Sequence, residues 1–109
     1  MRSRYRLARS ARRNLQQISD YWVMAAGEEA ALRIVTGILE TIAALAEHPL
    51  AGIAAQQFGT SVRRFPTGKY MIYYRAVRST AIEILHVFHG ARDQRKAWRE
   101  QDPGSTFKS

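Results

Sequence analysis

The chain has 109 residues, of which 46% are hydrophobic, and it contains no cysteine. This length fits one domain with its own hydrophobic core, and the absence of cysteine excludes a disulfide framework, a thiolate nucleophile and any cysteine-based metal site. Lysine and arginine number 17 against 9 acidic residues, so the net charge of +8 predicts an anionic partner, which is nucleic acid, an acidic membrane surface or an acidic protein segment.

A short strand and a first helix are predicted at the N-terminus. Polar and apolar side chains alternate over residues 3–8, which is the pattern of a half-exposed strand. Ser10 offers an oxygen that can cap the helix, and Gly27 accepts the left-handed conformation that commonly ends one. Apolar residues recur between them every three or four positions and predict one buried stripe: Ala11, Leu15, Ile18, Trp22 and Ala25.

A second helix is predicted from Glu28 to Glu47, because an acidic first turn favours the helix dipole and Pro49 disfavours helical geometry just before it. Its apolar stripe is wider than the first: Ala31, Ile34, Val35, Ile38, Leu39, Ile42, Leu45 and Ala46. Gly37 interrupts the helix at a cost of about 1 kcal/mol relative to alanine, and we expect it where the two helices cross. The short link between the helices predicts an antiparallel hairpin that must cover a further apolar surface.

The second half of the chain predicts an antiparallel meander. Residues 50–61 lack periodicity and predict a connection into the sheet. Strands are predicted over residues 62–65, 70–75 and 82–89, with turn chemistry at residues 66–68 and a polar link over 77–81.

The last two strands are apolar on both faces. Strict alternation places His86 on the face that carries Ile82, Ile84 and Phe88, and His89 on the face that carries Leu85 and Val87. We expect one face of the sheet to pack on the helices and the other to be covered by the C-terminal tail or by a partner chain.

The predicted fold is α+β, in the order β-α-α-β-β-β, with an N-terminal helical hairpin packed on a small, largely antiparallel sheet. A short C-terminal helix is predicted over residues 91–100. Residues 1–100 are expected to form the single domain, and residues 101–109, which include Pro103 and Gly104, a flexible tail.

Three pieces of the sequence, in this order of elements, resemble the ParE branch of the RelE/ParE toxin superfamily. They are the helix text NLQQISDYW, the hairpin VRRFPTGKYMIYYR and the terminal EILHVFHGARD. The similarity covers residues 5–98 and implies a RelE/ParE-like fold and a toxin of a type II toxin–antitoxin pair, neutralised by a small antitoxin. ParE-like toxins act on DNA gyrase and stall replication, whereas RelE-like relatives of the same fold cut mRNA in the ribosome, so the fold does not identify the target.

The partners that the resemblance implies are a ParD-like antitoxin with an acidic segment, forming a hetero-oligomer with the toxin, and DNA gyrase as the target. Operator DNA is expected to be contacted only through the antitoxin. No zinc, phosphate-loop, nucleotide or serine-hydrolase motif is present in the sequence, so no metal or cofactor is expected. No segment resembles a membrane span or a signal peptide, and we expect a cytoplasmic protein without membrane contact.

A basic sheet beside a helical hairpin offers an apolar groove with a cationic rim, which suits an acidic segment that folds as it binds. We predict antitoxin contacts at three positions on the hairpin and three on the sheet: Leu15, Trp22, Val35, Arg64, Tyr73 and Arg75. We predict contacts with the target at or beyond the end of the last strand: His89, Arg92, Asp93 and Trp98.

The alternative is a ribosome-dependent mRNA endonuclease, which needs a base for the 2′-hydroxyl, cations for the phosphorane and a surface on which a nucleobase stacks. Its base and cations would come from His89, Arg92, Arg75, Arg64 and Lys69, and its stacking surface from Tyr74 or Trp98. His86 is either a second candidate base or a hydrogen-bonded residue of the sheet.

Trp98 stands near the position where the nuclease branch has a tyrosine, and an indole has no hydroxyl to donate a proton. We therefore favour a gyrase inhibitor over an enzyme. A basic nucleic-acid-binding module is a third hypothesis, which explains the charge but not the apolar faces of the sheet.

Overall fold

Five strands form one mixed sheet in the computed structural model, which describes residues 5–77, 82–91 and 94–101. They are β1 (Tyr5–Leu7), β2 (Ile53–Ala54), β3 (Arg63–Thr67), β4 (Tyr70–Ala76) and β5 (Ile82–His89). Their order across the sheet is β1-β5-β4-β3-β2, with β1 parallel to β5 and the other pairs antiparallel. The predicted meander is confirmed. The interpretation of residues 50–61 as a plain connection is wrong, because β2 lies within them and is too short to show a period of two.

The turn between β3 and β4 is shorter than predicted. Pro66 and Thr67 belong to β3 and pair with Met71 and Tyr70. Pro66 is tolerated because β2 pairs only with the first two residues of β3, so the missing N–H lies on a free edge. Gly68, with φ of 58°, makes the reversal.

The helices are α1 (Arg9–Ala26), α2 (Glu28–Glu47) and α3 (Gln94–Gln101), with a 3-10 turn at Gln56–Phe58. Gly27 alone separates α1 from α2 with φ of 96°, which confirms the predicted hairpin. The stripe of α1 ends earlier than predicted, because Ala25 is exposed. Helix α3 runs one residue beyond the predicted domain boundary, and residues 102–109 of the predicted tail lie outside the described residues.

Two polar side chains of α1 close the edge of β5 where β1 has ended. The predicted cap at Ser10 is wrong, because no side chain caps α1 and the Ser10 hydroxyl instead donates to the carbonyl oxygen of Leu85 at 2.7 Å. Asn14 Oδ1 accepts the backbone N–H of Val87 at 3.0 Å. Backbone groups that would otherwise be buried without partners are thus satisfied by the helix.

A β-bulge in β5 overturns the predicted faces of its side chains. Tyr73 lies opposite His86 but Tyr74 lies opposite Ile84, so Leu85 is an extra residue on β5. Alternation restarts after it. The face toward the hairpin carries Ile82, Ile84 and Val87, and the outer face carries His86 and Phe88.

Each face of the sheet packs in its own hydrophobic cluster. The main core lies between the hairpin and the inner face, and includes Ile38, Ile42, Ile72, Ile82 and Ile84. The second cluster lies on the outer face and contains Ala55, Phe58, Val62, Tyr73, Phe88, Ala97 and Trp98. The chain therefore covers its own outer face with the 3-10 turn and α3.

Gly37 does not lie at a close crossing of the helices, contrary to the prediction. A Cβ atom built at this position would meet no atom within 4 Å. Among the described residues, no helix is both long enough and apolar enough to cross a bilayer.

Candidate functional site

The end of α1 meets the start of β4 through a hydrogen bond between two aromatic side chains, which we call the Trp22–Tyr70 ridge. The indole N–H of Trp22 donates to Tyr70 Oη at 2.8 Å. Tyr21 packs edge-on against Trp22 with ring centroids 5.4 Å apart, yet 63% of Tyr21 is exposed. Tyr70 itself is only 8% exposed, so the contact area comes from the half-buried Trp22 that it holds in place and from the exposed Tyr21, whose rings have little entropy to lose on binding.

One groove, the strand groove, lies between α1 and the end of β5 and has a volume of about 430 Å³. Its lining includes Gln17, Ile18 and Tyr21 from α1, Val87 and His89 from β5, and Lys69 from the turn before β4. The His89 ring is exposed and lies edge-on to Tyr70 at 5.5 Å between centroids. The predicted target-contact residue His89 therefore lies beside the ridge.

A second groove, the hairpin groove, lies on the other side of the ridge, between α1, α2 and the β3–β4 turn. Its volume is about 370 Å³. Helix α2 contributes Arg33, Ile34, Gly37 and Ile38, and the turn contributes Thr67, Gly68 and Lys69. The lining is largely aliphatic and aromatic, so this groove offers an apolar surface to a partner.

The rims of both grooves carry positive charge. Lys69 lines both grooves and Arg33 lines the hairpin groove, and both residues are exposed. No aspartate or glutamate is among the described residues that line either groove. The grooves are therefore electrostatically suited to a partner that carries carboxylates.

Two predicted contact residues, Tyr73 and Trp98, lie inside the second cluster instead of on an open surface. Tyr73 has no exposed area and Trp98 is 4% exposed. Trp98 stacks on Phe58 at 4.8 Å between ring centroids, and the Tyr73 hydroxyl donates to Gln94 Oε1 at 2.9 Å. Burial raises the pKa of Tyr73, and the guanidinium of Arg64 offsets only part of that effect. Both aromatics hold α3 on the sheet. Tyr73 has no exposed area, which contradicts its prediction as an antitoxin contact, whereas Trp98 also borders a cavity of about 430 Å³, so its contact with the target stays a prediction.

Only one of the six predicted antitoxin contacts, Trp22, lines the two grooves. Leu15 is buried in the main core, which contradicts its prediction as a contact, and Val35 is half-buried against that core. Arg64 is half-buried and lines a shallow hollow at the β2–β3 edge. Arg75 is exposed and pairs with Glu83 at 2.9 Å. Val35, Arg64 and Arg75 line neither groove, and their contact with the antitoxin stays a prediction.

The residues proposed for a ribonuclease do not converge. His89 and Lys69 lie at one end of the β4–β5 pair, whereas Arg75 lies near the other end of β4, roughly 20 Å away at about 3.4 Å per residue. Arg64 lies on β3 opposite Tyr73. Arg92 and Asp93, which were also predicted as contact residues, lie outside the described residues.

His86 is a structural residue of the sheet. It is 1% exposed, and its Nδ1 lies 3.3 Å from Asn14 Oδ1. Its ring stacks on Phe88 at 4.8 Å and lies 4.4 Å from the ring of Trp98. The interpretation of His86 as a hydrogen-bonded sheet residue is confirmed. Its ring also borders a third cavity of about 430 Å³, which Arg75 and Trp98 line as well. Tyr74, the other candidate stacking surface, has no exposed area and cannot receive a nucleobase.

The predicted contact residues did not include Tyr21, Arg33 or Tyr70, and Lys69 was named only as a nuclease cation. Tyr21 could have been predicted as a contact from the sequence, because an aromatic residue off the apolar stripe of an amphipathic helix must face solvent or a partner. Lys69 and Tyr70 carried no such signal, because only tertiary packing brings the β3–β4 turn to the end of α1. In the part of the chain that the structure describes, no group of three or more histidine and acidic side chains is placed to hold a metal ion.

Comparison with known proteins agrees with this architecture. Residues 5–94 match the family model for the ParE toxin of the type II toxin–antitoxin system parDE. Over 89 residues the chain is 34% identical to Toxin ParE1 of Caulobacter vibrioides, covering 81% of this chain and 93% of that protein.

Two solved structures share the fold. A chain of the chromosomal ParDE TA system from P. aeruginosa has a TM-score of 0.67 and 25% identity, covering 79% of this chain and 94% of that one. A chain of the RelBE2 toxin–antitoxin complex from Mycobacterium tuberculosis has a TM-score of 0.61 and 22% identity, covering 82% and 99%, and shows likeness of fold alone. On the family match and the sequence identity, the chain belongs to the ParE toxin family of type II toxin–antitoxin systems.

Proposed function

We propose that this toxin inhibits DNA gyrase, and thereby replication and growth, until an acidic segment of its antitoxin occupies the grooves beside the Trp22–Tyr70 ridge. Binding of an acidic antitoxin segment is supported by the two grooves, which share a cationic rim and have no carboxylate among their described lining residues. The target half rests on membership of the ParE family. Gyrase inhibition would make the protein cytoplasmic and serve plasmid or chromosome stabilisation.

The energetics favour a segment that crosses the ridge. Tyr21 and Met24 are 63% and 87% exposed on the last turns of α1. Each buried aromatic or methionine side chain contributes about 1.5–3 kcal/mol when it leaves water. Carboxylates on the same segment would pair with Lys69 and Arg33 and orient it, so an acidic amphipathic antitoxin segment satisfies both requirements.

The partner assembly follows from this arrangement. A ParD-like antitoxin would form a hetero-oligomer with the toxin by direct contact, and the toxin would reach operator DNA only through the antitoxin. The positive rim would serve the antitoxin, and the net charge of +8 would favour the approach of an acidic partner.

The positions of the polar residues support inhibition over RNA cleavage. General acid–base cleavage requires a base and cations within hydrogen-bond reach of one phosphate. The roughly 20 Å between the Lys69 end and the Arg75 end of β4 exceeds that reach severalfold. His86 is 1% exposed and lies against Asn14, Phe88 and Trp98. Of the described nuclease cations, only Arg75 lines the cavity that His86 borders.

The test compares the two activities on one preparation. The toxin is expressed together with the protein encoded by the adjacent open reading frame, separated from it, and added to purified gyrase and to translating ribosomes with reporter mRNA. We expect loss of supercoiling, intact mRNA, and recovery of supercoiling when the adjacent protein is returned. Ribosome-dependent cleavage with normal supercoiling would instead support the ribonuclease alternative.

A further inference from the structure

Gly37 lies in the middle of α2 at a position where nothing within the described chain requires glycine. Its backbone φ is not positive, and a Cβ atom would meet no neighbour within 4 Å. Alanine is the stronger helix former and would fit without strain. Neither the backbone conformation at this position nor the contact between the helices therefore requires a residue without a side chain.

The missing side chain instead leaves the hairpin groove open. Gly37 lies between Ile34 and Ile38 in the lining of that groove, so an apolar floor flanks the gap. Any residue larger than glycine would project a side chain into space that a partner side chain could otherwise fill. Gly37 thus controls the width of the groove.

Two side-chain hydrogen bonds hold the walls of the hairpin groove in place. On one side, Trp22 is bonded to Tyr70 at 2.8 Å. On the other, the hydroxyls of Thr41 and Thr67 are 2.9 Å apart and join α2 to the end of β3. A groove with fixed walls needs little reorganisation on binding, and this favours selective recognition of one side-chain shape.

The groove also differs chemically from its neighbour across the ridge. The strand groove includes Asn14, Gln17 and His89, so it suits polar contacts. The hairpin groove combines an apolar floor with Arg33 and Lys69 at its margins. That combination matches an apolar side chain with carboxylates close to it in sequence.

We infer that the hairpin groove is a specificity pocket in which one apolar side chain of the acidic antitoxin segment is buried against Gly37, while Arg33 and Lys69 pair with flanking carboxylates. The inference rests on the proposed neutralisation by an antitoxin. Gly37 sets the size of the antitoxin side chain that fits, and Arg33 and Lys69 select acidic residues on either side of that side chain in the antitoxin. Antitoxins with a different residue at that point would be rejected by steric misfit.

The test measures the affinity of toxin variants for the purified protein encoded by the adjacent open reading frame. Gly37→Leu fills the pocket, and Gly37→Ala fills it partly. Ala44→Leu is the matched control, because it introduces the same side chain at an exposed position of α2 that lines neither groove. Thermal unfolding of each free variant establishes that it is folded.

We expect Gly37→Leu to weaken binding by about ten- to a hundredfold, because overfilling a formed pocket forces displacement of the ligand or of its walls. Gly37→Ala should have a smaller effect and unfold at a temperature no lower than the wild type. Ala44→Leu should change affinity by less than about threefold. Wild-type affinity in a folded Gly37→Leu variant would overturn the inference while leaving antitoxin neutralisation intact.

Charge reversal provides a second measurement that does not depend on the folding of Gly37→Leu. Arg33→Glu should weaken binding by about tenfold or more, with a loss that shrinks at high salt. Arg12→Glu is its control, since Arg12 is exposed and lines neither groove. Equal effects of the two reversals would also overturn the inference. Failure of the wild-type toxin to bind the adjacent protein would refute the proposed function itself.

Discussion

Replacement of Asn14 should lower the free energy of unfolding by more than is usual for a short polar side chain, because Asn14 is buried and bonded to the backbone of β5. Asn14 is 2% exposed, and its Oδ1 accepts the N–H of Val87 at 3.0 Å while lying 3.3 Å from His86 Nδ1. It therefore serves as the hydrogen-bond partner of β5 beyond the end of β1. Removal leaves a buried backbone donor without its acceptor.

The expected magnitude follows from these contacts. An unsatisfied buried N–H costs about 1–3 kcal/mol, and truncation of the packed side chain adds to that cost. We expect Asn14→Ala to lower the free energy of unfolding by about 2–4 kcal/mol. With a urea m-value of about 1.5 kcal/mol/M, the midpoint should fall by more than about 1 M.

Urea denaturation followed by circular dichroism measures this effect, and amide hydrogen exchange at Val87 locates it. Asn14→Leu separates hydrogen bonding from packing, because it restores side-chain volume without an acceptor and should remain destabilised. Arg13→Ala, at an exposed neighbouring position, should change stability by less than about 0.5 kcal/mol. Full recovery in Asn14→Leu, or a loss in Asn14→Ala no larger than in Arg13→Ala, would refute the hydrogen-bonding role.

Three further predictions concern the outer cluster, the tyrosines and the groove rim. Trp98→Ala should cost about 3 kcal/mol or more in urea denaturation and release α3, whereas Trp98→Phe should cost clearly less; equal losses would contradict the aromatic stacking. Stability should fall as the pH rises above about 10, because burial raises the pKa of Tyr73 and Tyr74 in the folded state above the unfolded value. Their contribution is complete below that unfolded pKa and is lost through the folded pKa, so Tyr74→Phe should show a shallower decline in alkaline urea titrations. Lys69→Glu should weaken binding of the adjacent-frame protein by about tenfold, and Arg12→Glu by less than about threefold, since Arg12 is exposed and lines neither groove; equal losses of affinity in calorimetry would contradict the assignment of the groove rim as the binding surface.

Local patterns were sufficient for the helical hairpin. The apolar stripe of α2 and the glycine at position 27 predict their structures because helix periodicity and left-handed backbone conformation are properties of neighbouring residues. The bulge at Leu85 was beyond such reasoning. One extra residue in a strand shifts every later side chain to the opposite face, and its position depends on pairing with β4.

The candidate site shows the same division. Trp22 was predicted as a contact from its place on α1. Its position between the two grooves, however, is fixed by a hydrogen bond to Tyr70, a residue 48 positions away. Tyr73 and Trp98 looked equally suitable in the sequence, but α3 folds back and buries both. Aromatic residues suit interiors and interfaces alike, so composition cannot distinguish the two environments.

The sequence by itself determined the basic charge, the helical hairpin, the antiparallel meander and the resemblance to the ParE branch, because each is a matter of composition, local periodicity or motif. Only the tertiary structure decided which side chains remain on the surface. The bulge moved His86 to the outer face of the sheet, α3 covered that face, and the meeting of α1 with the β3–β4 turn created two grooves with a shared cationic rim. These outcomes depend on contacts between residues far apart in the chain, and such contacts are set by packing rather than by local propensity.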